Sequence, residues 1–122
     1  MNYIERLREN NKDEKFVKLL KFRYPRAHIY LLHNNFATLT LLIRDEQENF
    51  LAEYILSGYD CKASSQNLLK MEEYNKRNRT YLCYENILRA YLKYMIENFD
   101  DYKEDYLNST NRKTVSEQTE TY

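Results

Sequence analysis

One segment of the sequence determines whether this chain contains a β-sheet: HIYLLHNNFATLTLLIRDEQENFLAEYIL, residues 28–56. Its apolar runs are rich in Ile, Leu, Thr, Phe and Tyr, which favour strands. Asn34 and Asn35 suit a two-residue hairpin turn, because asparagine tolerates positive φ, and DEQEN (45–49) is a second, polar turn. The pattern predicts a three-stranded antiparallel meander, with a middle strand (36–44) that is apolar on both faces and covered on both sides.

An all-helical fold is the alternative for this segment. A helix over residues 29–43 would have no polar stripe, so it would have to be buried on every side. A chain of 122 residues forms one modest core, and a sheet fits that core better.

Helical spacing marks the segment before the sheet, residues 2–24. Between its two apolar groups, Asn11 followed by Glu14 resembles a capping box, so a new helix can begin there. We therefore expect either one kinked helix or a short turn followed by a longer helix. Pro25 disfavours helical conformation in the residue before it and ends this segment.

Two helices are predicted after the sheet. Ser64 or Ser65 is suited to cap a helix that begins near Gln66. The polar run YNKRNRT (74–80) predicts a break, after which a long helix extends to about Tyr106. The fold class is therefore α+β: an N-terminal helix, a three-stranded antiparallel meander, then two helices with a long C-terminal helix.

Domain limits follow from length and composition. We expect a single α+β domain over residues 1–107, since no linker divides the chain. The remaining segment, 108–122, has a single large aliphatic residue, Val115, and is predicted to be a disordered tail.

The long C-terminal helix carries an apolar seam with spacings of three and four: Tyr81, Tyr84, Leu88, Tyr91, Leu92, Met95, Phe99, Tyr102 and Tyr106. Packing within the domain explains most of these residues. The far end of the seam, Phe99, Tyr102 and Tyr106, extends beyond what three short strands require. That end is a candidate surface for a second copy or another protein, because tyrosine is enriched in such contacts.

Charge is balanced overall, with 19 basic and 19 acidic residues, but it is segregated along the chain. Two basic segments that contain or adjoin aromatic residues, KFRYPR and NKRNR, can serve an anionic partner. A dedicated DNA-binding protein is usually basic as a whole, so nucleic acid is not favoured as that partner. The candidate interaction surface comprises Lys15, Lys18, Lys21, Arg23, Arg26, Arg77, Arg79, Phe99, Tyr102 and Tyr106.

Most enzyme chemistries lack a signal in the sequence, and we predict no catalytic, cofactor-binding or metal-ligating residues. One glycine cannot build a phosphate-binding loop. His28 and His33 lie five positions apart on a predicted strand, so they face opposite sides and do not chelate a metal together. A metal-independent ribonuclease that uses His33, Arg44, Glu53 and a tyrosine stays open as an alternative.

By elimination, the sequence favours a small non-enzymatic protein that binds another protein or a protein–nucleic acid complex and blocks it sterically. Its composition fits a phage or plasmid gene, for example an inhibitor of a host defence nuclease or replication factor. We expect a cytoplasmic location and no membrane contact, because the N-terminus lacks an apolar core and no apolar run could span a bilayer. The alternatives are nucleic-acid binding through the basic N-terminal helix and the ribonuclease. A homodimer through the C-terminal helix is a further expectation.

Overall fold

A computed structural model describes residues 2–121 of the chain, with side chains described for residues 2–110. This range contains five helices and one four-stranded antiparallel sheet, which confirms the α+β class. In chain order the elements are α1 (Tyr3–Glu9), α2 (Lys12–Arg23), β1 (His28–Asn35), β2 (Thr38–Arg44), β3 (Phe50–Ser57), β4 (Asp60–Gln66), α3 (Leu68–Asn78), α4 (Tyr84–Asn98) and α5 (Asp100–Thr121).

The sheet has one strand more than the sequence predicted. Its strand order is β1-β2-β3-β4, so every neighbouring pair is a hairpin. The chain reverses from β3 into β4 through Gly58, whose φ of 55° falls in the left-handed region that glycine adopts without strain. Strand β4, DCKASSQ, escaped prediction because it buries a single side chain, Cys61, and is held by backbone pairing with β3.

The start of α3 differs from prediction for the same reason. Ser64 and Ser65 belong to β4 and cap no helix. The helix is capped instead by Asn67, whose side-chain oxygen accepts a hydrogen bond from the Lys70 N–H at 3.1 Å. Asparagine is among the preferred residues at this position.

The first two hairpins agree with prediction in existence and differ in detail. The β1–β2 turn lies two residues later than expected, because the Asn35 side chain accepts hydrogen bonds from the N–H groups of Ala37 and Thr38 at 2.7 and 3.0 Å. In the β2–β3 turn, Asp45 Oδ1 accepts N–H groups from Gln47 and Asn49, both at 2.9 Å. These bonds fix the turn in the manner typical of aspartate.

The N-terminal segment forms two helices, α1 and the longer α2, where the sequence predicted one kinked helix or a short turn followed by a longer helix. The capping box is at Asn2 and Glu5 of α1, where each side chain accepts the other residue's N–H. Asn11 makes no side-chain cap to α2 and instead adopts a left-handed conformation with φ 55°. The predicted break at 11 is thus correct, but its mechanism is a left-handed turn.

The core lies on one face of the sheet. Alternate residues of the central strands are fully buried against the helices: Leu39, Leu41, Ile43, Ala52, Tyr54 and Leu56. On the other face of β1 and β2, Tyr30 and Leu32 are exposed and Leu42 is half-buried. Thr40 of the same face is buried, and no residue of β2 is exposed. The open part of this face therefore lies on β1.

The predicted long C-terminal helix is divided into α4 and α5 by Phe99, which adopts an extended conformation with φ −137° and ψ 106°. The break turns the rings of Phe99 and Tyr102 into an aromatic cluster with Tyr3, whose centroid lies 5.0 Å from that of Tyr102. It also places Asp100 and Asp101 in the first turn of α5, where the helix dipole favours acids.

The predicted tail, 108–122, falls mostly beyond the residues with described side chains, so the domain limits stay predictions.

Within the described range, no helix has both the length and the apolar character that a membrane crossing requires.

Candidate interaction surface

The predicted basic residues of α2 are all on the surface but do not form a single patch. Lys15, Lys18 and Lys21 are exposed along the helix, and Arg23 is exposed at its C-terminal end. Arg26 is exposed in the loop before β1, with φ 69°. Lys18 and Lys21 line a groove beside β1, whereas Arg23 faces a different depression.

The end of the predicted tyrosine seam packs inside this molecule. Phe99 and Tyr102 are buried, and Tyr106 is half-buried against the same core. Arg6 lies over the Phe99 ring at 4.8 Å and forms an ion pair with Asp101, which closes α1 over the cluster. Burial removes Phe99 and Tyr102 from the surface that a partner meets.

Arg77 is committed to a contact within the chain. Its Nε and Nη2 donate to the two carboxylate oxygens of Glu46 at 3.1 and 2.9 Å. These hydrogen bonds are the main reason that the pKa of Glu46 falls to about 2. The bidentate pair joins α3 to the β2–β3 turn, so Arg77 has a structural role.

Arg23 and Arg79, one from each basic segment, meet in a depression of about 390 Å³, here called the arginine hollow. Its lining consists of Arg23, Tyr24, Arg79, Thr80, Tyr81, Asn86 and Arg89. None of these described residues is acidic. Sequence reasoning missed Arg89, because it lies outside both basic segments in the mostly apolar helix α4, and it missed Tyr81 as a surface residue.

The loop between α3 and α4 positions one wall of the arginine hollow. Arg79 ends α3 in a left-handed conformation with φ 55°. The Asn75 side chain then holds the following loop: its amide donates to the Leu82 carbonyl at 2.9 Å, and its oxygen accepts the Leu82 N–H at 2.7 Å. The Thr80 hydroxyl donates to the same oxygen at 2.9 Å.

A second asparagine connects the loop to α4. Asn86 Nδ2 donates to the Tyr81 carbonyl at 2.7 Å, and Arg89 Nη1 donates to Asn86 Oδ1 at 2.9 Å. The Tyr81 side chain itself is 82% exposed. The hollow therefore has a backbone that is fixed by hydrogen bonds and an aromatic ring that is free to contact a partner.

Tyr24 lies beneath the arginines and is buried. Burial raises the pKa of its hydroxyl, and the nearby Arg23 opposes that shift without cancelling it. The phenol therefore stays neutral at physiological pH and does not neutralise the arginines.

The residues considered for a ribonuclease are not brought together. His33 Nε2 lies 3.8 Å from Asp13 beside α2, whereas Arg44 pairs with Glu48 at 3.5 Å near the other end of β1. The other histidine, His28, pairs with Glu48: His28 Nδ1 lies 3.2 Å from Glu48 Oε1. The Tyr30 hydroxyl lies 3.3 Å from the same oxygen.

Two observations concern the residues that metal or thiol chemistry would use. No three His, Cys, Asp or Glu side chains in that part of the chain are grouped as metal ligands. Cys61 is buried, and burial raises the pKa of its thiol to about 12, so it stays protonated and unreactive.

Comparisons with protein-family models, curated proteins and solved structures found no match to this chain. The surfaces described above are therefore the basis for a functional proposal.

Proposed function

We propose that this chain is a binding protein whose arginine hollow docks onto an acidic surface of another protein. The observation that supports this most directly is the convergence of Arg23, Arg79 and Arg89 around one depression with no acidic lining residue. Arginines that line one depression repel one another, and an anionic partner relieves that repulsion. Arg77, in contrast, already has its anion within the chain.

The arginine and tyrosine residues of the hollow favour a protein as the partner. Arginine and tyrosine are enriched among the residues that dominate the binding energy of protein interfaces. Contacts of lysine and arginine with phosphates supply a large share of the affinity of nucleic-acid binding. The hollow supplies three arginines, and the chain as a whole has no net charge.

The hollow is suited to binding because its frame is already ordered. The hydrogen bonds of Asn75 and Asn86 fix the loop before a partner arrives. Less conformational entropy is then lost on association. Binding of this kind needs no enzymatic activity. The bound chain would block its partner sterically, as expected of an inhibitor of a host complex.

Single-stranded nucleic acid is the second candidate partner, and one specific observation favours it. Two aromatic side chains near the arginines are strongly exposed: Tyr81 at 82% and Phe22, next to Arg23, at 86%. Bases stack on exposed aromatic rings while arginines contact the phosphates.

The test compares three proteins. The first is the wild type, the second neutralises the hollow (Arg23→Gln, Arg79→Asn, Arg89→Gln), and the third neutralises three exposed lysines elsewhere (Lys62→Gln, Lys93→Gln, Lys103→Gln). Both variants lose the same charge, and asparagine at 79 tolerates the positive φ. Each is used in pull-downs from candidate hosts and in titrations with single-stranded RNA and DNA over a salt series.

The proposal requires a protein that is recovered at a fixed stoichiometry by the wild type and the lysine variant and is lost with the hollow variant. Oligonucleotide binding that weakens steeply with salt and disappears only in the hollow variant would establish the second candidate. If the hollow variant binds every partner as well as the wild type does, the arginine hollow is not the binding surface. RNA degradation that is abolished by His33→Ala would support the ribonuclease instead.

A further inference from the structure

The outer edge of β1 is open. β1 is an end strand, and β2 is its only strand partner within the described chain. Its last four residues, 32–35, are exposed, and Leu32 is 50% exposed. An end strand presents a row of unpaired N–H and C=O groups, which can pair with a further strand.

β1 also lacks the side chains that protect such an edge. Soluble proteins commonly place lysine, other charged residues or proline on end strands to oppose edge-to-edge pairing. The sequence of β1, HIYLLHNN, contains no lysine, arginine, acidic residue or proline. The opposite end strand, β4, carries Asp60 and Lys62. β1 is therefore the edge at which pairing is less opposed.

A groove of about 490 Å³ runs between this edge and helix α2. Residues 29–33 line its strand side, and the helix side is formed by Asp13, Glu14, Val17, Lys18 and Lys21. Charge changes sign along the groove. The acids lie at the end near His33, whose Nε2 is 3.8 Å from Asp13 Oδ2, and the lysines lie towards the other end.

We propose that two copies of this chain associate through their β1 edges about a two-fold axis. Four strands from each copy then form one continuous antiparallel sheet. A two-fold axis perpendicular to the sheet sets the second β1 antiparallel to the first, and the contact is self-complementary. The same rotation brings the acidic end of each groove beside the lysine end of the other. Glu14 of one copy faces Lys21 of the other, and the pair occurs twice.

The strand and the helix place the axis at the same point. The groove's strand residues, 29–33, are centred on Leu31, and its helix residues, 13–21, are centred on Val17. The strand segment spans about 13 Å at ~3.3 Å per residue. The helix segment spans about 12 Å at ~1.5 Å per residue. One axis past Leu31 and Val17 thus satisfies both the strand pairing and the charge pairing.

The dimer is expected to be weak and sensitive to salt. Strand pairing with one flanking helix buries a small area, and interfaces of that size dissociate at micromolar concentrations or above. The groove shares no residue with the arginine hollow, so self-association and partner binding are separate properties. This surface also differs from the C-terminal helix that the sequence indicated for a homodimer.

A charge exchange tests the proposed pairing. Glu14 and Lys21 are exposed, so their reversal leaves the fold intact, which circular dichroism verifies. Glu14→Lys alone, or Lys21→Glu alone, replaces two attractions across the axis by two repulsions and raises the dimer Kd by about tenfold or more. The double variant restores the pairing in reverse and returns the Kd to within about threefold of the wild type.

Sedimentation velocity over about 5–500 μM protein measures each Kd, with Lys15→Glu as the control. This variant makes the same charge change on α2 as Lys21→Glu but outside the groove, and it is expected to dimerise as the wild type does. A wild type that stays monomeric over this range overturns the proposal. So does a dimer that neither single reversal weakens, or one that the double variant does not restore.

Discussion

Asn75 and Leu82 are joined by two reciprocal hydrogen bonds that close the turn between α3 and α4. Leu82 is buried, so its backbone N–H and C=O groups have little access to water as a substitute. The Asn75 oxygen also accepts the Thr80 hydroxyl. One side chain thus satisfies two buried backbone groups and sets the path of the loop that carries Arg79 and Tyr81.

Replacing Asn75 by alanine is expected to lower the free energy of unfolding by about 1–3 kcal/mol, because buried backbone groups lose their partners. Asn75→Asp keeps the acceptor for the Leu82 N–H but sets a carboxylate oxygen against the Leu82 carbonyl, so it should be destabilising as well. Urea unfolding measures both variants. If Asn75→Ala is as stable as the wild type, the loop does not depend on these bonds.

Two buried tyrosines provide a contrast between a satisfied and an unsatisfied hydroxyl. The Tyr91 hydroxyl donates to the Gly58 carbonyl. The Tyr102 hydroxyl is buried without a hydrogen-bond partner among the described residues. Tyr91→Phe is therefore expected to cost about 1 kcal/mol, whereas Tyr102→Phe should be neutral or stabilising by up to about 1 kcal/mol.

Thermal or urea unfolding of the two phenylalanine variants gives the comparison directly. Both rings stay in place, so cavity formation does not contribute to either result. A loss for Tyr102→Phe equal to that for Tyr91→Phe would mean that the Tyr102 hydroxyl has a partner in solution.

The sheet was predictable where side chains alternate or form apolar runs, and unpredictable where backbone pairing alone holds a strand. β1, β2 and β3 each contain four residues drawn from Ile, Leu and Tyr, so their composition identifies them. β4 buries only Cys61, so its sequence pattern is that of a loop. The break at Phe99 was missed because the apolar spacing continues unchanged from α4 into α5.

The candidate site was predictable only in its parts. The sequence indicated Arg23 and Arg79 as members of two basic segments, 56 positions apart (79 − 23). Their proximity depends on where α2 ends relative to the α3–α4 loop, which is a tertiary property. Phe99 and Tyr102 were predicted to be part of an interaction surface because their residue types suit an interface. Their burial depends on the helix break at Phe99, which the sequence did not indicate.

Truncation separates the buried part of α5 from the rest. Ending the chain after Asn98 removes Phe99 and Tyr102, both of which pack against Tyr3. Loss of one large buried aromatic side chain costs about 3–5 kcal/mol, so this truncation should leave little or no folded protein. Ending the chain after Thr110 keeps both rings and should retain a cooperative unfolding transition, which calorimetry measures. Equal stability of the two truncated chains would show that the aromatic cluster does not form.

The Glu46–Arg77 pair should make stability depend on pH in the acid range. Hydrogen bonding to Arg77 lowers the pKa of Glu46 from 4.5 to about 2 in the folded chain. Between these values the unfolded chain binds more protons, so the pair's contribution is complete above pH 4.5 and is lost as pH falls towards 2. Glu46→Gln and Arg77→Met are each expected to flatten the plot of unfolding free energy against pH in this window. Asp45 and Asp101, whose pKa values are also lowered, should leave part of the slope.

Glu72→Gln is the control for this measurement. It removes an exposed carboxylate of α3 whose recorded ion pair is with Lys76 and not with Arg77. Urea unfolding at a series of acid pH values should then give the wild-type slope for Glu72→Gln and a reduced slope for the other two variants. Equal slopes in all four proteins would mean that the Glu46–Arg77 hydrogen bonds do not persist in solution, and that α3 is not tied to the β2–β3 turn by this pair.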